Sequence, residues 1–205
     1  MTWNLLKNEA YQDAKLKGFH NEELSDEHCI VLIMTELAEA VEADRKNKHA
    51  DREQYKALIE YADRERMLTG DILKQYEKEA FENLIKDTVE DELADVVIRV
   101  LDLSGLRNVD LESVDEMKDF EYHFDCPEIM EDFAENRFTE VIFDLSQMLF
   151  RCYYNPYEGL NHRRLRIFLC YVLYYCKHHN IDIEWHVDHK MEYNQYRERK
   201  HGKIY

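Results

Sequence analysis

The chain carries, between positions 89 and 101, the run Val89-Glu-Asp-Glu-Leu-Ala-Asp-Val-Val-Ile-Arg-Val-Leu101. Its aliphatic residues recur every three or four positions, which is the period of an α-helix with one apolar face. Glu92 lies between Val89 and Val96 on that face, and Asp95 follows it at a distance of three residues. Residues three apart share a face of a helix. The run therefore predicts a core helix that aims two carboxylates in the same direction.

A second run, from Ile30 to Val41, repeats this arrangement. Its aliphatic stripe has a period near 3.6, and Ser25 before it is a typical N-cap residue. Glu36 lies beside the stripe, and Glu39 lies next to Glu36 toward the polar flank. Burying like charges together is costly unless a cation neutralises them. A divalent ion held between the two helices would do so, and Mg²⁺ is the usual choice for ligands that offer only oxygen.

The spacing of these acids is not decisive by itself. The chain has 44 acidic residues among 205, so random placement gives about nine acidic pairs that are three residues apart. Most such pairs lie on solvated helix faces. What distinguishes these two pairs is their position against core-facing aliphatic residues. From the residues alone, a metal site and ordinary surface or hydrogen-bonded carboxylates both stay open.

Composition predicts the fold class. The chain has only 5 glycines and 2 prolines, residues that strand-rich folds consume in their turns, and 35% of its residues are charged. We therefore expect a single all-α domain with a four-helix-bundle core and additional helices. The formal charge of −17 disfavours nonspecific binding to nucleic acid and to anionic membranes. An anionic substrate would need a local cation or a basic cluster.

The cysteines and the apolar segments indicate the compartment. Five cysteines form no C-x-x-C pair, which favours free buried thiols and a reducing cytoplasm. The longest unbroken apolar stretch, 167–176, is too short to cross a bilayer. The N-terminal residues show no basic segment followed by an apolar one. We expect a cytoplasmic protein with no membrane partner.

Periodicity and capping signals predict seven helices, and residues 74–103 are expected to form one uninterrupted helix. Their expected ranges are 3–17, 26–45, 51–67, 74–103, 127–153, 162–179 and 183–199.

One short motif recurs after an interval of 72 residues. Asn108-Val-Asp-Leu-Glu112 and Asn180-Ile-Asp-Ile-Glu184 both follow apolar helices. The recurrence indicates either a degenerate internal duplication or two ordinary helix–loop junctions. We divide the single domain 1–205 into a metal-site half at 20–105, an inserted or degenerate second half at 106–180, and a closing helix with a basic tail at 181–205.

Three stretches together resemble one family. The pattern E-x-x-E on one helix and E-x-x-D on a later helix is similar to the all-α nucleoside triphosphate pyrophosphohydrolases of the MazG and dimeric dUTPase superfamily. The stretches are Glu36-Leu-Ala-Glu-Ala-Val-Glu-Ala-Asp-Arg45, Glu92-Leu-Ala-Asp-Val-Val97 and Lys190-x-x-x-Asn194-x-x-Arg197. The resemblance covers about 26–105 and 178–203. About 70 residues, 106–175, separate the second metal helix from the closing motif, which is longer than a compact family member requires.

The resemblance implies a reaction and its residues. The reaction is hydrolysis of a (d)NTP to a (d)NMP and pyrophosphate, with Mg²⁺, or Mn²⁺ in its place, as cofactor. The predicted metal ligands and catalytic carboxylates are Glu36, Glu39, Glu92 and Asp95. The predicted phosphate or sugar contacts are Lys190, Asn194 and Arg197, whose alternative is a solvated helix with a basic end that suits its dipole. Which carboxylate is the general base stays open.

Three further expectations concern partners and other side chains. The apolar segments 133–152 and 162–179 exceed what one small site needs, so we expect a homodimer or a larger homo-oligomer. His186 and His189, three residues apart with no evident third ligand, are expected at the surface. Phe19 and Trp3 could touch a base, although simple hydrophobic anchors are the safer interpretation.

The alternative function is a non-catalytic helical module that binds a nucleotide or a protein.

Overall fold

The structure, a computed structural model, describes residues 2–64, 70–115, 127–153 and 159–199. Every regular element in these ranges is a helix, so the all-α prediction is confirmed. A core of four helices in particular stays a prediction. The parts of predicted segments at 65–69, 116–126, 154–158 and 200–205, including the end of the basic tail, lie outside the described residues.

Ten helices occupy the described ranges. They are α1 (Trp3–Leu16), α2 (Asp26–Arg45), α3 (Arg52–Arg64), α4 (Asp71–Leu84), α5 (Val89–Leu106), α6 (Glu112–Asp115), α7 (Pro127–Glu135), α8 (Phe138–Arg151), α9 (His162–His178) and α10 (Ile183–Gln195).

The predicted helix at 74–103 is wrong, because the chain breaks between α4 and α5. Thr88 is an N-cap with extended backbone, and its hydroxyl accepts a hydrogen bond from the Asp91 amide at 3.3 Å. The same hydroxyl donates to the Ile85 carbonyl at 2.6 Å. Asp87 adopts a φ of 58°, which a continuing helix does not allow. These contacts start α5 afresh at Val89, with three acids in its first turn.

The predicted helix at 127–153 is also two helices, α7 and α8. Arg137 lies between them with extended backbone, at φ −57° and ψ 142°. The Glu140 carboxylate accepts a hydrogen bond from the Arg137 amide at 3.2 Å, so the side chain caps the new helix start.

Helix α5 lies at the centre of the core. It packs against α1, α2, α9 and α10, and its residues Val96, Val97 and Val100 are fully buried. Helix α2 contributes Ile33 and Leu37 to the same cluster, and it also packs against α8. The two helices that carry the acidic pairs are therefore direct neighbours.

The recurring motif corresponds to one local structure. Asn108 and Asn180 both have positive φ, 52° and 57°, and each follows the end of a helix. In both places the next amide returns to the carbonyl five residues earlier at 2.8 Å. Asn47, after α2, makes the same turn. The motif thus needs no duplication to account for it, and the duplication stays a prediction.

The apolar surface expected to form a homodimer is largely used within the chain. In α9 the buried residues extend from Leu165 to Cys176 and belong to the main core. On α8, Phe143 and Phe150 remain exposed. An oligomer stays a prediction. Of the helices that the structure describes, none combines the length and the apolar character needed to cross a membrane.

Gly105 allows α1 and α5 to approach closely. A methyl group at this position would lie 2.5 Å from Cβ of Tyr11, and neither backbone can move away easily. We expect Gly105→Ala to lower the free energy of unfolding by about 1–3 kcal/mol, as overpacking does. Urea denaturation measures this change. Ala38→Gly, at an exposed position of α2, is the control, because it measures how far an exchange between alanine and glycine changes stability through helix propensity alone. A stabilised Gly105→Ala protein would contradict the close approach.

Candidate functional site

A cavity of about 690 Å³ lies where α1, α2, α5 and α10 meet. The seven residues predicted as metal ligands or substrate contacts all line it: Glu36, Glu39, Glu92, Asp95, Lys190, Asn194 and Arg197. Six of them come from α2, α5 and α10, and Arg197 follows the end of α10. The structure therefore brings the predicted residues together, while their roles stay predictions.

Local sequence aims the two helices at this cavity. Ser25 caps α2 by accepting a hydrogen bond from the His28 amide at 3.2 Å, and Thr88 caps α5. Glu36 and Glu92 each follow the apolar row of their helix, so packing of α2 on α5 buries both to 4% exposure. The capping residues set the start of each helix, and the periodicity then sets which carboxylates face the interior.

Glu92 belongs to two carboxylate triads. One oxygen each of Glu36, Glu39 and Glu92 lie within 4.8 Å of one another. The same holds for one oxygen each of Asp87, Asp91 and Glu92. Both sets offer only oxygen, the donor type that Mg²⁺ and Mn²⁺ prefer.

The Glu92 carboxyl has the most perturbed environment of the four predicted ligands. Among the described residues, it makes no hydrogen bond and no ion pair. Its pKa is raised to about 8, mainly by burial and then by the nearby Asp95, while Lys190 opposes the rise. A bound cation would offset this cost of charging a buried carboxyl. The site thus contains a buried carboxyl that lacks a partner within the described chain.

Glu36 is partly neutralised by the protein itself. Arg99 Nε donates to its carboxylate at 3.0 Å. Burial raises the pKa of Glu36, the nearby Asp95 adds to the rise, and Arg99 opposes it. Arg99 was not among the residues predicted from sequence. Its position four residues after Asp95, on the same face of α5, was the available signal.

Lys190 is buried against two carboxylates. Its Nζ lies 2.6 Å from Asp91 and 2.8 Å from Asp95, and the side chain is almost fully enclosed. These contacts outweigh the effect of burial and raise the pKa of Lys190, so the ammonium stays charged. Asp91, also missed from sequence, has its Oδ1 buried without a hydrogen-bond partner in the described structure. Lys190 thus fixes α10 to α5 beneath the cavity.

The end of α10 supplies the basic side of the cavity. Arg197 Nη1 donates to Asn194 Oδ1 at 3.4 Å, which holds both predicted contact residues together. Lys17, just after α1, donates to the Gln195 carbonyl at 2.9 Å. Two helix ends therefore meet at this rim.

Phe19 lines the cavity, whereas Trp3 is buried in the main core. The Arg99 guanidinium lies over the Phe19 ring at 5.7 Å. Asp102 also lines the cavity, and its carboxylate contacts His20 Nε2 at 2.7 Å. A smaller cavity of about 50 Å³ adjoins this wall and shares Phe19, Arg99 and Asp102 with it.

The expectation that His186 lies at the surface is wrong. His186 is buried, and burial lowers its pKa to about 4, so the ring is neutral. His189 is half-buried and its Nδ1 contacts the Trp185 carbonyl at 2.9 Å. Helix α10 is covered on more than one side, which its sequence pattern did not indicate.

Comparison of the chain with protein-family models, curated proteins and solved structures finds no match in any of the three.

The raised pKa of Glu92 predicts a pH dependence of stability. In the unfolded chain this carboxyl titrates near 4.5, and in the metal-free fold near 8. The fold binds the proton more tightly, so the free energy of unfolding should fall as pH rises from 4.5 through 8. Glu92→Gln should flatten this decline. Urea denaturation in chelator between pH 5 and 9 measures it.

The matched control is Glu42→Gln, which changes an exposed carboxylate on α2. It should keep the pH dependence of the parent protein. If Glu92→Gln declines as steeply as the parent, the carboxyl is not the titrating group.

Removing the Lys190 ammonium should leave the buried Asp91 carboxylate without its counterion. We expect Lys190→Met to lower the free energy of unfolding by about 3–5 kcal/mol, because Asp91 loses its buried partner. Adding Asp91→Asn should recover part of this loss, which a double-mutant cycle measures. Additive effects of the two changes would contradict a direct pair.

Proposed function

We propose that this chain is a Mg²⁺-dependent nucleoside triphosphate pyrophosphohydrolase that converts a (d)NTP and water to a (d)NMP and pyrophosphate. One observation carries the proposal. The buried Glu92 carboxyl, which has no hydrogen bond or ion pair among the described residues, lies among further carboxylates in a large cavity that also holds basic residues. The resemblance of the acidic pairs and the closing helix to the all-α pyrophosphohydrolases supports it.

The cavity has the size and charge that a nucleotide needs. Its volume of about 690 Å³ lies within the range of small-molecule sites. Of the described residues, seven acids and five basic residues line it, so basic side chains offset much of the local negative charge. The basic residues are Lys17, Lys86, Arg99, Lys190 and Arg197. Lys and Arg bind phosphate oxygens through charge-assisted hydrogen bonds.

The donor set fits a hard divalent ion. Glu36, Glu39 and Glu92 would hold it, with Asp95 beside them on α5. Bound Mg²⁺ would supply charge neutralisation at the phosphates and a more acidic coordinated water. Mn²⁺ accepts the same ligands.

The residues of the chain perform the remaining tasks. Arg99 and Lys190 hold Glu36 and Asp95 in place, which keeps the carboxylates converged. Arg197 and Asn194 offer donors at the opposite rim. Phe19 provides an aromatic face at the cavity wall. One of the four carboxylates would accept the proton of the attacking water.

A non-catalytic nucleotide-binding module is the second candidate function, and one observation favours it. Two of the predicted ligands already have protein cations, since Arg99 pairs with Glu36 and Lys190 pairs with Asp95. A site neutralised in this way can persist without metal. The module would keep the cavity and bind a nucleotide without hydrolysing it.

A panel of (d)NTPs, with and without Mg²⁺, separates the two functions. The enzyme should release pyrophosphate from at least one nucleotide, and only with the metal present. Thermal stability is recorded in the same samples. If a nucleotide raises the melting temperature and no nucleotide of the panel is hydrolysed, the result favours the binding module.

Glu92→Gln should abolish turnover while leaving the fold intact. We expect kcat to fall by about 100-fold or more, because a ligand that stabilises the reacting charge is lost. Far-ultraviolet circular dichroism should be unchanged. Glu42→Gln on the exposed side of α2 should retain the parent rate. Full activity of Glu92→Gln would remove this residue from the site.

A further inference from the structure

A separate cavity of about 100 Å³ lies between α3, α4 and α10. Aromatic rings and carboxylates line it, and it shares no lining residue with the large cavity. The lining residues are Tyr55, Ile59, Glu77, Lys78, Phe81, His189, Glu192, Tyr193 and Tyr196. Helix α10 separates the two cavities, so the proposed pyrophosphohydrolase site does not use this one.

The aromatic wall is rigid. Phe81 stacks on Tyr193 with ring centroids 4.7 Å apart, and Tyr55 packs edge-on against Phe81 at 6.4 Å. These rings form a satellite core that is distinct from the main one. The Tyr193 hydroxyl donates to Glu82 at 3.0 Å, so it is already used.

The Tyr55 hydroxyl is different. Tyr55 is only 7% exposed, yet within the described parts of the chain its hydroxyl has no hydrogen-bond partner. After burial, the groups that raise its pKa to about 12 are Glu77, Glu192 and Tyr196. Tyr55 and all three of these residues line the same cavity. A hydroxyl that makes no hydrogen bond within the described parts of the chain is available to a ligand.

Two carboxylates face this hydroxyl from different helices. Glu77 of α4 and Glu192 of α10 are close enough that Glu192, together with burial, raises the pKa of Glu77. Neither makes an ion pair within the described ranges. Lys78, the basic residue on this wall, pairs instead with Glu82 at 4.0 Å. Lys74 and His189 oppose the rise in the pKa of Glu77, and among the described residues no ion pair engages either carboxylate.

We propose that this cavity binds an organic cation, namely the guanidinium or primary ammonium head group of a ligand. Aromatic faces attract cations, and the two carboxylates and the phenol accept their hydrogen bonds. His189 fits this polarity. When its ring is neutral, Nδ1 donates to the Trp185 carbonyl and Nε2 is left as an acceptor. A volume of about 100 Å³ corresponds to about three water molecules, which is the size of such a head group.

The test titrates the whole protein with methylguanidinium and methylammonium in saturating Mg²⁺, which occupies other acidic groups. Methylurea, the neutral isostere of methylguanidinium, is the ligand control. Trp185 contacts Tyr55 at 5.6 Å, so its fluorescence reports on the cavity. We expect saturable binding of the cations, with Kd on the order of 1 mM for ligands this small. Methylurea should not bind.

Variants locate the binding. Glu192→Gln removes an exposed carboxylate, so the fold should be kept, and the affinity should fall about tenfold. Tyr55→Phe keeps the ring and should weaken binding by a smaller factor. Glu79→Gln, on the outer face of α4, is the matched control and should bind as the parent does.

A further ligand distinguishes the source of the cation. Blocked arginine, Nα-acetylarginine amide, should bind like methylguanidinium if the natural ligand is a protein side chain. Binding of the free cations alone would assign the cavity to a small molecule. If no cation binds, if methylurea binds equally well, or if Glu192→Gln keeps full affinity, the proposal is wrong.

Discussion

The packing of α2 on α5 is the constraint on which the rest of the structure depends. It buries Glu36 and Glu92 among aliphatic side chains, where charged carboxylates are costly. The protein offsets part of that cost with its own cations. Arg99 pairs with Glu36 across the two helices, and Lys190 reaches Asp95 from α10. Glu92 keeps no such partner among the described residues, and its raised pKa reflects this imbalance.

Helix α10 contributes residues to both the large cavity and the aromatic cavity. One side places Lys190 against Asp91 and Asp95 beneath the large cavity and Asn194 at its rim. The other side closes the aromatic cavity with Glu192 and Tyr193. A change in the position of this one helix would disturb both cavities. The buried residues of this helix include Lys190 and the neutral His186.

Helix boundaries were predictable where the cap stands before a clear apolar period. Ser25 marked the start of α2 correctly, because it is a typical N-cap residue that stands directly before a clear apolar period. Thr88 was overlooked, since apolar residues on both sides of it keep a helical period. The break depends on hydrogen bonds of the Thr88 hydroxyl and on the positive φ of Asp87. Such local hydrogen bonds break the helix even though the apolar pattern of the sequence continues through the break.

The sequence by itself determined the all-α class and, through periodicity and a family resemblance, the seven residues that meet in the large cavity. Spacing along one helix fixes which side chains share a face, and this needs no tertiary information. Only the tertiary structure decided which charges neutralise each other. The Arg99–Glu36 pair spans 63 residues and the Lys190–Asp91 pair spans 99. Such pairs exist because packing brings separate helices together, and no pattern within one helix encodes that geometry.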